Sequence, residues 1–258
     1  MKGLAALLAF GVMTLAILPA RAEQLIVALS AEEVRITSNF TGTSITVFGA
    51  IERDAATVSR ADFYDVVVSV KGPPETVVTR RKDRILGIWL NSASRTFVNI
   101  PSFYAVNSSR PLSEVTTPQI LKRFQIGADD LVFPVSAGNE AESAGTDDPF
   151  RQAFIRLKQQ DGLYRREAYG VKFPGAEIFQ TAVQIPANVP VGRYVVTVYL
   201  FRDGAMLASD DAEIRISKTG FEQFTFDLAH NQGLIYGLIC VILAVFTGWL
   251  AGVIFRRD

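Results

Sequence analysis

Leu234 to Phe255 is an unbroken apolar run of 22 residues with no charge and no proline. As a helix rising about 1.5 Å per residue it reaches roughly 33 Å, enough to cross the hydrocarbon core of a bilayer. Arg256 and Arg257 follow it directly, and arginines beside a membrane belong on the cytoplasmic side. Tyr236 and Trp249 lie toward opposite ends of the run, as interfacial aromatics do. The run predicts a single-pass anchor over 234–255, with 256–258 as a cytoplasmic tail and the bulk of the chain on the other side.

The other end agrees with that orientation. Lys2 gives a positive start, Gly3 to Leu18 is uncharged, and Ala20-Arg21-Ala22 has the small-residue pattern of a cleavage site. Residues 1–22 therefore read as a secretory signal peptide, with the mature chain beginning at Glu23. An uncharged run of this length is short of the about 20 residues that a spanning helix needs.

The anchor carries a stripe of small residues. Gly233, Gly237, Ala244, Gly248 and Gly252 recur at spacings that keep them on one helical face. Small residues let a second membrane helix approach closely, so this face predicts packing against another membrane protein or against a second copy of the chain. Before it, Phe221, Phe224 and Leu228 fall at helical spacing, which predicts an interfacial segment over 220–233.

Composition narrows the function classes. The chain holds one cysteine, Cys240, and one histidine, His230, both in or beside the anchor. That inventory excludes Ser-His-Asp and Cys-His nucleophilic sites and His/Cys metal centres from the exported part. Lys+Arg and Asp+Glu both total 26, and a balanced chain argues against a nucleic-acid partner. Neither a Walker motif nor a GxGxxG is present. The adjacent pairs Asp129-Asp130, Asp147-Asp148 and Asp210-Asp211 read as helix starts and turns rather than as a metal site. No enzyme activity and no cofactor is expected.

The exported middle is written mainly in strands. Segments 25–29, 34–37, 43–49, 65–70, 76–79, 85–90 and 96–100 are rich in β-branched and aromatic residues and separated by turn signals. Segments 177–185, 193–201 and 212–216 resume the pattern, the second opening on Pro190-Val191-Gly192-Arg193-Tyr194 and closing on Asp203-Gly204. This predicts an immunoglobulin-like β-sandwich with a first β region over 23–112 and a second over 163–219. Two helices interrupt it within 113–162. One starts at Thr117-Pro118 and closes at Gly127. The other starts at Asp148-Pro149, with Phe150, Ala153, Phe154 and Leu157 as its buried stripe and Gly162 as its stop. Ser136 to Asp147 reads as a mobile polar loop. Arg80-Arg81-Lys82-Asp83-Arg84 reads as a charged turn, and Arg80, Arg81, Lys82 and Arg84 are the candidate anion-binding residues. Asn39 and Asn107 stand in glycosylation-type triplets.

Several ordered blocks carry a family resemblance. They are Ile36-Thr37-Ser38-Asn39-Phe40-Thr41-Gly42, Arg80 to Arg84 leading to Gly87-Ile88-Trp89, and Pro101 to Val106 leading to Arg110-Pro111-Leu112. Pro186 to Gly192 follows, then Phe221-Glu222-Gln223-Phe224 through Gly248-Trp249-Leu250-Ala251-Gly252 to Arg256-Arg257. Through these the chain resembles the alphaproteobacterial transmembrane protein family Alph_Pro_TM over nearly its whole mature length. The resemblance implies a periplasmic domain on the inner membrane and brings no catalytic residues. It also points to a transport-related partner, such as a sulfite-exporter-type permease. The expectation is an accessory or scaffold subunit, with a periplasmic anion- or ligand-binding module as the alternative.

Overall fold

The computed structural model describes residues 23–52, 63–85, 87–137, 140–219 and 228–254. The signal-peptide segment, Phe221, Phe224, Arg256 and Arg257 lie outside the described residues. Three sheets form the β-rich part. The first has the order β1 (Gln24–Leu29), β3 (Gly42–Glu52), β12 (Ile178–Pro186) and β11 (Val171–Lys172), all antiparallel. The second runs β10 (Tyr164–Ala168), β7 (Tyr104–Ser108), β4 (Asp65–Lys71), β13 (Gly192–Arg202), β14 (Ala205–Lys218) and β2 (Glu33–Ile36). Its two edge pairs are parallel. The third holds β5 (Pro74–Ile85), β6 (Ile88–Pro101), β8 (Pro134–Ala137) and β9 (Glu140–Ser143).

The alternation of apolar residues decides how the first two sheets meet. In β3 and β12 the residues Ile45, Val47, Ile51, Phe179, Val183 and Ile185 are buried, and all lie on one face. Asn107 of β7 reaches across from the second sheet, its Nδ2 donating to Thr181 Oγ1 at 2.8 Å. Val68 is opposite Asn107, and Val198 is opposite Val68, so these valines share the inner face. Within the first sheet the Phe179 ring lies over its cross-strand partner Gly49. A Cβ there would lie 2.1 Å from the Phe179 ring, so no other residue fits.

The outer face of the second sheet is covered by α1 (Leu112–Val115) and α2 (Pro118–Phe124). The Phe124 ring lies 6.1 Å from Tyr199. Tyr104 Oη donates to Gln125 O at 2.9 Å and accepts from Gly127 N at 2.8 Å. Burial pushes the Tyr104 hydroxyl pKa up, so it stays a donor. At the corner before β13, Tyr194 Oη donates to Pro190 O at 2.5 Å, which fixes the turn that the Pro-x-Gly-x-Tyr pattern announced.

Helix α3 (Pro149–Gln160) starts where expected, with Asp148 accepting from the backbone N–H groups of Phe150 and Arg151. It packs on the third sheet through an aromatic triad. The Phe97 ring lies 5.5 Å from Phe133 and 6.2 Å from Phe154, and Phe133 lies 5.7 Å from Phe154. Its buried face is Arg151, Phe154 and Ile155, whereas Leu157 is half exposed. The predicted stripe is therefore rotated by part of a turn. The cause is Arg151, whose guanidinium donates to three backbone carbonyls: Ala144 (3.1 Å), Asp129 (2.5 Å) and Leu131 (3.0 Å). It also lies 4.8 Å over the Phe133 ring. A charged side chain is buried here because its donors find acceptors.

Four other expectations are corrected. The charged segment 80–84 is strand, not turn. β5 runs through it and pairs on to Ile85 opposite Ile88. Within 136–147 there is a hairpin, β8 with β9, rather than a loop. Helix α2 ends at Gln125 (φ 53), and Gly127 instead precedes the 3-10 turn Ala128–Asp130. Asp210 and Asp211 lie inside β14, opposite Val198 and Thr197. The mainly β architecture with a C-terminal apolar helix is as predicted, but it has three sheets and parallel edge pairs, more than a two-sheet antiparallel sandwich holds. The regions 23–112 and 163–219 share both large sheets, since β3 pairs with β12 and β4 with β13.

Candidate functional site

The β5–β6 hairpin is the longest feature of the third sheet, with about 40 Å of strand in β5. Its base is held by α3, where Lys158 Nζ donates to Glu75 Oε1 at 2.6 Å and to Ser102 O at 3.1 Å. Midway, Arg95 pairs with Asp148 at the start of α3. Beyond that point the hairpin is exposed. Alternation splits the predicted cationic cluster between two faces. Thr79 and Arg81 follow Val77, which is opposite Phe97, and so face α3. Arg81 Nε donates to Asp83 Oδ2 at 3.3 Å on that face. Arg80, Lys82 and Arg84 point to the outer face, with Trp89 opposite Arg84. Ser92 is an extra residue in β6, between Ala93 opposite Arg81 and Asn91 opposite Lys82, and its hydroxyl donates to Asp83. Arg80, Arg81 and Lys82 nevertheless line one groove of about 300 Å³ against Phe150, Arg156 and Leu157 of α3, and Arg84 lies nearer the turn.

A second site is one that sequence reasoning missed. A groove of about 590 Å³ lies where β7 and β10 meet β11 and β12. Arg165 and Glu167 of β10 are opposite Ala105 and Asn107, Lys172 comes from β11, and Tyr169 stands between them at φ 65, largely exposed. Its floor is the Asn107–Thr181 contact, with Thr181 Oγ1 donating in turn to Gly170 O at 2.9 Å. Asn107 is buried and spends its amide on Thr181 and on Ala182 O, so this triplet is closed to glycosylation in the folded chain. The groove joins residues 74 positions apart, and no local pattern marks it. Arg166 points the other way and pairs with Asp129 at 3.2 Å.

Among the described residues no group of three His, Cys, Asp or Glu side chains converges on a metal position. Ser69 and Lys71 share a face of β4, and burial holds the Lys71 amine below the lysine range against the pull of Asp211. Ser69 is almost wholly buried, so no substrate reaches that pair.

The C-terminal apolar run is the helix α4 (Gly233–Ile254), and its Gly233–Gly252 stretch is apolar and long enough to cross a membrane. None of that stretch is buried against the rest of the chain. A Cβ added at Gly233, Gly237, Gly248 or Gly252 would meet nothing within 4 Å, so the stripe is open along the helix.

A mainly β domain followed by one such helix defines a single-pass membrane protein. Residues 24–257 match the model of the family described as Putative transmembrane protein (Alph_Pro_TM), and the chain belongs to that family. No curated protein matches it.

Proposed function

We propose that this protein is a non-catalytic accessory or scaffold subunit for another membrane protein, such as a sulfite-exporter-type permease, or for a second copy of itself. In this reading it sits in the inner membrane with its β-rich domain in the periplasm and Arg256 and Arg257 at the cytoplasmic face. The observation that carries it is the open stripe of Gly233, Gly237, Ala244, Gly248 and Gly252 on a helix that buries nothing against its own chain. Membrane helices associate through close packing at small residues, not through a hydrophobic force. Glu23 is tied into the fold, with Arg202 donating to its carboxylate at 2.7 Å.

Replacing Gly248 and Gly252 together by leucine is expected to lower co-purification of the partner about ten-fold or more in mild detergent, since losing about 1.4 kcal/mol of packing is already ten-fold. A complex recovered in unchanged yield would remove this helix as the contact. If the recovered partner is a second copy of the chain, the same variant should convert the dimer to monomer.

The groove beside Arg165 supports the alternative, a ligand-binding module, at a different place from the strand cluster. Its volume is in the range of small-molecule sites, and it offers the Arg165 guanidinium, the Lys172 amine and the Tyr169 phenol beside the Glu167 carboxylate. Under that reading sulfite, sulfate or phosphate raises the melting temperature of the full-length protein saturably, and Arg165→Gln abolishes the shift. Flat melting curves in all three anions count against it.

A further inference from the structure

Ile88, Trp89 and Leu90 follow the turn of the β5–β6 hairpin and are 64%, 65% and 49% exposed. Three consecutive large apolar residues held out on a two-stranded arm are costly in water and mark a surface meant for something else. The outer face beside them carries Arg80, Lys82 and Arg84, and the register places no Asp or Glu among the residues of that face from Val78 to Thr96. The acid of this stretch, Asp83, is on the opposite face and engaged with Arg81 and Ser92. A tryptophan with cations around it is the composition of a bilayer interface, where the ring sits at headgroup depth and the long basic side chains reach phosphate.

The topology carries this arm toward the anchor. β4 and β14 are both antiparallel to β13, so they run in the same direction. β4 passes through Gly72-Pro73 into β5, with Gly72 N donating to Phe103 O and Ser102 N to Pro73 O, so the pair β4–β7 continues into the pair β5–β6. β14 ends at Lys218 at that same end of the sheet. The fourteen residues between Lys218 and Gly233 lead to α4 and span at most about 50 Å. The hairpin and the chain that leads to the membrane helix thus leave the central sheet from one end.

We propose that the tip and outer face of the β5–β6 hairpin dock on anionic lipid headgroups of the bilayer that holds α4. Trp89 enters the interface from the outer face with Ile88 at the tip, and Arg80, Lys82 and Arg84 meet the phosphates. The docking rests on the single-pass anchor and is independent of the partner bound by the glycine stripe. Each cation near an anionic surface is worth about five-fold in binding, so neutralising three lowers the docked-to-free ratio roughly 100-fold.

The test uses the full-length protein with Trp249→Phe, which leaves Trp89 as its one tryptophan. It is reconstituted in nanodiscs of phosphatidylcholine alone or with one part in four of phosphatidylglycerol, each with bromine on the acyl chains. Quenching and a blue shift of Trp89 emission that grow with phosphatidylglycerol, and that Arg80→Gln, Lys82→Gln and Arg84→Gln together abolish, are expected. All three side chains are exposed, and an unchanged melting temperature verifies the fold of the triple variant. A Trp89 that stays in water in both lipids overturns the proposal. So does quenching that is equal in both lipids and unaffected by the triple variant, or a Trp89 that leaves water only when another protein is added.

Discussion

Arg151→Met is expected to lower the stability of the β-rich domain by about 3–5 kcal/mol. Methionine replaces the stem of the arginine but none of its donors. The carbonyls of Asp129, Leu131 and Ala144 would then be left without the guanidinium that now satisfies them. Each buried acceptor so orphaned costs about 1–3 kcal/mol. Against a total stability of about 5–15 kcal/mol for a domain, that is a large share. Arg151→Lys should recover little, because a single ammonium lacks the planar fork that reaches Asp129 and Leu131 on one turn and Ala144 on another segment. Burial alone would favour losing the proton, but the nearby carboxylates of Asp129, Asp130 and Asp148 oppose this. The deficit should therefore stay constant across neutral pH. Denaturant unfolding followed by tyrosine and tryptophan signals measures it. A loss below about 1 kcal/mol would show that water reaches these carbonyls and that the clamp is not structural.

Phe97→Ala is expected to cost about 3–5 kcal/mol and to act locally. Phe97 is fully buried and meets Phe133 and Phe154 edge-on. Removing the ring leaves a cavity that two other rigid rings cannot collapse into, and it forfeits two aromatic contacts of about 0.5–1.5 kcal/mol each. The triad joins the third sheet to α3. Amide hydrogen exchange should therefore quicken along β5, β6 and β8, while β4 and β13 keep their protection. Uniformly faster exchange across all three sheets would mean that the hairpin region and the central sheet unfold as one unit.

What could be read from the sequence follows from how local each signal is. The apolar run 234–255 depends only on its own residues, and the helix spans Gly233–Ile254. Asp203-Gly204 is equally local. Both residues have positive φ, which the two-residue turn between Arg202 and Ala205 requires. The strand through Arg80 to Arg84 was hidden because charged residues are poor strand formers and both faces of that hairpin are wet, so no apolar alternation marks it. Arg151 was hidden for the opposite reason. A stripe of apolar residues ranks an arginine as exposed, and its three acceptors come from other segments. The groove depends on Asn107 meeting Thr181, which only the pairing of distant strands produces. Exposed Trp89 was visible as a residue, but its exposure was not.

The interleaving of the two β regions sets an order of events on the growing chain. Among the described residues β2 has only β14 as a neighbour, and Glu33 waits for Arg215. β3 and β4 each have one early partner and one late one, β12 and β13. Glu23 meets Arg202 across 179 positions. The first hundred residues therefore hold open sheet edges until the final strands arrive, and edges of that kind pair readily with other chains. Closing such distant pairs is slow. The last strand to be delivered lies immediately before the membrane helix, so completion of the sheets and anchoring of the chain fall at nearly the same moment. A product cut short anywhere before β14 would be neither closed nor anchored, and it would present its unpaired edges to whatever guards the compartment against aggregation.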